Sequence, residues 1–269
     1  GWMLLVPRGY LSTFMKLGVV FLLGVGVILM APTIEMPRVT RFAGGGGPII
    51  PGTLFPFLFI TIACGAVSGF HSLVSSGTTP KMIEQESQAV VGYAAMLVES
   101  FVGVMALIAA SVLIPGDYLA INTTLSADAL AAMGFAPARI AELSHLVEVD
   151  VAGRPGGAVS LAVGMASIFA ALPGMAGLMA YWYQFALVFE ALFILTTIDT
   201  GTRVGRYLIQ EMGGRFYAPL RKMNWWPGVA LSSGLIVGAW GYLIGTGSIS
   251  TLWPMFGAAN QLLGTLALC

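Results

Sequence analysis

Long apolar runs separated by short polar segments dominate the pattern of this sequence. Six runs predict membrane-crossing helices, because the hydrocarbon core of a bilayer needs roughly 20 apolar residues per helix. Most of the charged side chains lie in the segments between the runs, which is typical of an all-α membrane protein. The predicted spans cover approximately residues 14–31, 54–79, 90–114, 181–200, 227–247 and 252–269.

The second run changes character along its length. Residues 54–66 are apolar, but glycines, hydroxyl-bearing residues and a histidine then follow within a few turns. Such polar residues and glycines are not expected in a lipid-facing helix. A helix that unwinds in the middle of the membrane, in contrast, can hold a polar solute with its free backbone groups and hydroxyls. In the simpler alternative, the hydroxyls bond back to the preceding turn and the glycines allow close helix packing. The broken helix supplies these substrate-binding candidates: Gly65, Ser68, Gly69, His71, Ser72, Ser75, Ser76, Thr78 and Thr79.

Residues 115–180 predict an external loop with a re-entrant segment. Within it, residues 127–147 predict a surface helix, and the apolar stretch at 157–172 is short for a span. If that stretch enters the membrane and returns, the basic residues of a predicted loop over 202–226 lie on the cytoplasmic side, as the positive-inside rule requires. We therefore predict a re-entrant external hairpin rather than a seventh span.

Ionisable and amide groups inside the spans are candidates for ion coupling or for lining the path. His71 can donate to a carboxylate or carry a proton, or it can be a neutral ring bonded to a carbonyl. A buried acid can carry a proton or can bond one helix to another, and the sequence leaves both roles open. Asp199 can simply pair with Arg203, four residues further along the helix. The ion-coupling candidates are Glu99, Glu190, Thr196, Thr197, Asp199 and Thr200. Within this set, the threonine hydroxyls and the Asp199 carboxylate can also bind sodium. The path-lining candidates, which can instead bond helix to helix, are Asn260 and Gln261.

Composition supports the membrane interpretation and excludes several function classes. Hydrophobic residues make up 57% and charged residues 9%, with a mean hydropathy of +0.88, so a water-soluble domain is excluded. The net charge of zero gives no electrostatic case for nucleic acid binding. No catalytic, zinc-binding or phosphate-binding motif is present, so we expect no enzyme activity, no cofactor and no metal. The chain starts without Met and stops inside an apolar run, which we interpret as a piece of a larger protein.

Long stretches of the chain resemble the carbon starvation protein CstA family, and together they cover essentially its whole length. They are WMLLVPRGYLSTFMKLG, FPFLFITIACGAVSGFHSLVSSGTTPKMI, GYAAMLVESFVGVMALIAAS, FALVFEALFILTTIDTGTRVGRYLIQE and LWPMFGAANQLLGTLAL. The resemblance implies a multi-pass transporter of the bacterial inner membrane for pyruvate or peptides when carbon is scarce. It also implies the LeuT-like fold of the amino acid–polyamine–organocation (APC) superfamily, built from inverted repeats.

In that fold the six spans correspond to the fifth to tenth core helices, and the broken span is the sixth. The other interrupted helix then belongs to missing N-terminal helices of the same protein, so we expect this fragment not to transport alone. Besides the lipid bilayer, the expected partner is a small carboxylate-bearing solute. Proton coupling is our first choice and sodium coupling the second. A non-transporting membrane sensor of the same solute is the alternative, and a channel fits a local polar pocket poorly.

Overall fold

A computed structural model describes residues 5–49, 51–58, 69–75, 85, 89–247 and 249–269, and every regular element in these residues is helical. This confirms the predicted all-α class. Short 3₁₀ helices lie at Arg41–Gly44, Ala176–Leu178 and Ala218–Arg221. The α-helices are α1 (Leu5–Met30), α2 (Gly69–Leu73), α3 (Ala89–Ser111), α4 (Pro115–Asn122), α5 (Ala127–Ala132), α6 (Ile140–Leu146), α7 (Ala158–Ala170), α8 (Met179–Gly213), α9 (Trp226–Thr246) and α10 (Ile249–Leu268).

Four helices of the described residues are long and apolar enough to cross a membrane: Pro7–Met30, Gly92–Ser111, Ala176–Gly213 and Trp226–Thr246. They coincide with four of the six predicted spans. The predicted last span is also helical, since α10 has 20 residues, but its crossing of the membrane stays a prediction. The predicted broken span lies largely outside the described residues, so the number of six spans is not established.

The chain divides into two compact units, and the first comprises Gly1–Pro51 and Val90–Ile194. Its core joins buried side chains of α1, α3, α7 and the first part of α8, among them Leu23, Met105, Phe169 and Tyr183. Helix α7 is the most completely enclosed of these helices because most of its side chains are buried. It has 13 residues and is therefore about 20 Å long, short of the roughly 30 Å core of a bilayer. Its predicted re-entrant position remains a prediction.

Glycine lets α7 touch the backbone of α3. A Cβ atom built on Gly164 would overlap the carbonyl oxygen of Ala109. On the other side, Gly26 of α1 faces Ile168, with 3.3 Å between an added Cβ and the Ile168 Cγ2 atom. These contacts place α7 against the backbone of α3 on one side and pack its side chains against α1 on the other.

The polar segment between α3 and α7 is folded around a buried acid. Asp117, in the first turn of α4, accepts hydrogen bonds from the backbone amides of Ala138 at 2.9 Å and Arg139 at 3.0 Å. The predicted single surface helix over 127–147 is wrong, because two helices, α5 and α6, occupy it. Gly134 between them has a φ of +76°, which favours glycine and ends a helix, and Pro137 lacks an amide proton.

Two arginines stabilise this polar segment, one from a neighbouring loop and one from within it. Arg41, from the loop after α1, donates to the carbonyl of Met133 and lies 4.5 Å from the centre of the Phe135 ring. Arg139 donates to Glu142 at 2.9 Å, and this hydrogen bond holds the pKa of the exposed Glu142 carboxyl below its ordinary value.

The second unit comprises Gly52–Ala89 and Leu195–Cys269. In it, the later part of α8 and helix α9 form an antiparallel hairpin. A Cβ built on Gly205 would lie 2.6 Å from Cδ1 of Ile236, and Leu220 contacts both Gly213 and Gly228. The segments at 205–213 of α8 and 228–236 of α9 have the same number of residues, and the contacts above join both of their ends. The last turns of α8 therefore lie beside the first half of α9.

The predicted basic loop over residues 202–226 is wrong in its first half. Residues 202–213 continue α8 as a regular helix, which has 35 residues in all and is about 50 Å long. The predicted span ending at residue 200 therefore stops before the helix does. Arg203 and Arg206 are three residues apart and therefore lie on the same face of α8. A helix can contain both arginines without placing charge on every side of the helix.

Substituting alanine for Gly164 is expected to destabilise the first unit by about 1–3 kcal/mol, because the added methyl group has no room against the Ala109 carbonyl. Thermal unfolding of the detergent-solubilised protein measures the change. Gly103→Ala in α3 is the matched control, since an added Cβ there meets no atom within 4 Å. That control is expected to be neutral or stabilising by up to about 1 kcal/mol. Equal melting temperatures for both variants would contradict the close α3–α7 contact.

Candidate functional site

The short helix α2 lies directly on α10, the last helix of the chain. A Cβ built on the buried Gly69 would overlap the Leu263 Cβ and lie 2.6 Å from the backbone oxygen of Asn260. It would also lie 3.2 Å from the side-chain oxygen of Asn260. Only glycine permits this approach, so the described part of the predicted broken helix meets the predicted path-lining amide. Two groups of candidates that lie almost 200 residues apart in sequence are therefore adjacent.

Asn260 is the polar group at this contact. It is only 6% exposed, in a helix that has no charged residue. The neighbouring Gln261 is half-buried, and the next turn continues with exposed leucines. An amide placed at a backbone-to-backbone contact can bond the two helices together or present its donor and acceptor to a solute, which leaves both sequence interpretations standing.

The hydroxyls of α2 bond along their own helix. Ser72 donates to the carbonyl of Gly69 at 2.8 Å, and Ser75 donates to the carbonyl of Ser72 at 3.1 Å. For these two residues the simpler alternative of back-bonding is confirmed. His71 directly precedes Ser72 and is exposed. The remaining candidates of this stretch lie outside the described residues: Gly65, Ser68, Ser76, Thr78 and Thr79.

The acidic candidates have different surroundings. Glu190 of α8 is half-buried, and its carboxylate forms no hydrogen bond or ion pair within the part of the chain that the structure describes. Glu99 of α3 is exposed. An acid that is half-buried in an apolar helix is costly as an isolated charge, so of the two, Glu190 has the surroundings expected for an acid that carries a proton.

Asp199 forms an ion pair with Arg203, with 3.3 Å between Oδ2 and the guanidinium nitrogen. This confirms the alternative in which Asp199 is bonded within its own helix. Thr196 and Thr197 are exposed, and Thr200 is half-buried. Among the described residues, no three or more His, Cys, Asp or Glu side chains come together as metal ligands.

One polar feature of α8 was missed by the sequence analysis. Asp199, Arg203, Arg206 and Gln210 are spaced by four, three and four residues and therefore share one face of the helix. Gln210 is fully buried, and neither its amide nitrogen nor its amide oxygen has a hydrogen-bond partner among the described residues. The Nε atom of Arg206 is likewise buried without a partner there. The spacing was visible in the sequence, but residues 202–226 had been interpreted as a loop.

We call these four residues the polar face of α8. Its members Arg206 and Gln210 lie in the part of α8 that runs beside α9, which has no charged residue between Trp226 and Thr246. Buried polar groups normally find a hydrogen-bond partner, so the unpartnered atoms of Gln210 and Arg206 make this face unusual.

Comparison with known proteins identifies the family. The family model described as carbon starvation protein CstA matches residues 1–269. The peptide transporter CstA of Bacillus subtilis is 50% identical over 99% of this chain, and the peptide transporter CstA of Escherichia coli is 47% identical over the same share. The pyruvate/proton symporter BtsT of Escherichia coli is 42% identical, again over 99% of the chain.

The chain spans less than half of the length of these relatives, at 44%, 42% and 43% of the three proteins respectively. No solved structure matches it. The match nevertheless extends from the first residue to the last at high identity. The chain therefore belongs to the carbon starvation protein CstA family.

Proposed function

We propose that this chain is part of an ion-coupled secondary transporter. The transporter imports a small carboxylate-bearing nutrient, pyruvate or a peptide, by alternating access during carbon starvation, and it lies in the bacterial inner membrane. The names of the relatives, peptide transporter and pyruvate/proton symporter, support both solutes. Four apolar helices of spanning length support a multi-pass membrane protein.

The observation that carries the proposal is the contact of Gly69 with Asn260. It brings the exposed His71 and the buried Asn260 amide into one short stretch of two helices. A carboxylate needs donors, and His71 together with the Asn260 amide can supply them without a metal ion. In the proposed site the solute binds on the α2 side of this contact, where the substrate candidates cluster.

The proposed architecture is the LeuT-like fold of the APC superfamily. The first half of the proposed broken helix precedes α2, and α7 is the re-entrant segment of the external hairpin. The short length of α7 and its enclosure by α1 and α3 support the hairpin. In an inverted-repeat fold, the second interrupted helix comes from another part of the protein.

Protons are the proposed coupling ion, with Glu190 as their carrier. Its half-buried position without a described partner supports this role, and one relative is named a proton symporter. Sodium is the second choice. Its proposed ligands are the hydroxyls of Thr196, Thr197 and Thr200 and the Asp199 carboxylate. Because that carboxylate pairs with Arg203, it is less available to sodium, which weakens the proposal of sodium coupling. The sensor alternative has no relative named in its favour among those compared.

The polar face of α8 belongs to the same proposal. The Gln210 amide and the Nε atom of Arg206 have no hydrogen-bond partner among the described residues, although the Arg206 guanidinium lies 4.8 Å from the centre of the Tyr207 ring. Unpartnered polar groups in a membrane helix are usually retained for the substrate path. We therefore include Arg206 and Gln210 in the polar path that opens toward one membrane surface.

Uptake by the full-length parent protein in membrane vesicles tests the transporter directly. Labelled pyruvate or a labelled dipeptide is expected to accumulate under an imposed proton gradient. His71→Ala is expected to lower uptake at least about tenfold, the cost of a lost hydrogen bond to a charged group. The matched control is His145→Ala, since His145 is exposed in α6, within the polar segment. Binding of either solute without accumulation under a proton or a sodium gradient would support the sensor instead.

The α2–α10 contact can be tested with two glycines. Gly69→Ala is expected to lower uptake about tenfold or more and to destabilise the protein by about 1–3 kcal/mol, because the methyl group meets Leu263 and the Asn260 backbone. Gly257→Ala, one turn before Asn260, adds a methyl group with no atom within 4 Å and should change neither quantity. If the two variants behave alike, the contact does not shape the site.

Gln210→Leu separates a path-lining role from a packing role. Removing an amide that lacks partners is expected to leave the melting temperature equal or higher. Uptake is nevertheless expected to fall about tenfold, because a polar lining group is lost. Gln184→Leu, at an exposed position of the same helix, is the control and should retain uptake. A lower melting temperature with normal uptake would show that Gln210 is structural.

A further inference from the structure

The connector between α8 and α9, residues 214–225, folds back onto both helix ends. A Cβ built on Gly213 would lie 3.0 Å from Leu220 Cδ1, and one built on Gly228 would lie 3.2 Å from Leu220 Cδ2. Gly214 is held between the Gln210 carbonyl oxygen at 2.8 Å and the Arg221 Cβ at 2.9 Å, measured in the same way. The connector is therefore packed against the hairpin end through Leu220 and the Cβ atom of Arg221.

A cavity of about 360 Å³ lies between the end of α8 and this connector. The lining residues are Glu211, Gly214, Arg215, Arg221 and Met223. We call it the connector cavity.

The charge of the connector cavity favours an anion. Arg215 and Arg221 are exposed, and within the described residues neither guanidinium has a hydrogen bond or an ion pair. Lys222 follows them directly, so three cations stand against the single carboxylate of Glu211. Guanidinium groups bind phosphate oxygens in bidentate fashion, so two of them at one cavity fit a phosphate.

The surroundings of the cavity indicate the source of that phosphate. Phe216 is 94% exposed and Trp226 76% exposed, and Tyr217 and Met212 are also exposed beside them. Aromatic side chains of this kind concentrate at the boundary between membrane and water. Trp226 begins α9, a helix long and apolar enough to span, so the connector cavity lies where lipid headgroups lie. A site for a freely soluble phosphate would not require these exposed aromatic side chains.

We propose that the connector cavity binds the headgroup of an anionic glycerophospholipid. Arg215 and Arg221 donate hydrogen bonds to the phosphate oxygens, Lys222 adds attraction at longer range, and Phe216 and Trp226 lie against the glycerol and upper acyl chains. Basic pockets at the ends of membrane helices hold anionic headgroups in this manner. The site is independent of the transported solute, and its occupancy fixes the hairpin end of α8 and α9.

Native mass spectrometry of the purified protein in mild detergent tests the proposal, with phosphatidylglycerol as the probe. The protein is expected to retain phosphatidylglycerol at least about tenfold better than phosphatidylcholine. Arg215→Gln/Arg221→Gln is expected to abolish the preference. The matched control Arg38→Gln/Arg154→Gln removes two exposed guanidiniums elsewhere and is expected to keep it. Circular dichroism checks that each variant is folded.

A second variant guards against a folding defect. Arg215→Lys/Arg221→Lys keeps both charges and is expected to retain most of the phosphatidylglycerol. Equal retention of the two lipids by the unmodified protein, or equal loss in the control variant, would overturn the proposal. Retention of phosphatidylethanolamine as strong as that of phosphatidylglycerol would show zwitterionic recognition through Glu211. Displacement by soluble glycerol phosphate at matched concentration would show a site for free phosphate. Either of these last two results would also overturn it.

Discussion

Contact of helices at backbone distance is the constraint on which this structure depends. Lipid is as apolar as the side chains it would replace, so membrane helices gain little from hiding apolar surface and associate through close packing. Glycine supplies that packing within each unit. Gly164 places α7 on the Ala109 carbonyl, and Gly69 places α2 on the Asn260 backbone. A single methyl group at either of these positions would push the helices apart.

The same constraint concentrates polar groups. Where backbones touch, neighbouring side chains are enclosed, and a polar side chain there needs a partner or a solute. Asp199 and Arg203 satisfy one another. Asn260 is enclosed at the α2 contact, while Gln210 and the Nε atom of Arg206 have no partner among the described residues. We interpret these enclosed groups as parts of the route that a polar solute follows through an otherwise apolar protein.

The sequence predicts the apolar helices well, because a spanning helix needs a long run that few other structures produce. It predicts helix ends less well. The arginines at 203 and 206 suggested a loop, but both lie on one face of α8, and a helix accommodates a charged face without breaking. A single helix over 127–147 fails for the opposite reason, since Gly134 and Pro137 end it within an alanine-rich pattern. At the candidate site, residue types are readable from sequence, but the pairing of Gly69 with Asn260 is not, because it joins distant parts of the chain.

The central claim is that the solute binds where the broken helix meets the last helix. A cryo-electron microscopy map of the full-length protein with bound pyruvate tests it most directly. The account predicts an interrupted helix before Gly69 and density for the solute within hydrogen-bond distance of His71 or the Asn260 amide. A continuous helix through residues 54–79, with the solute bound away from Gly69 and Asn260, would contradict it.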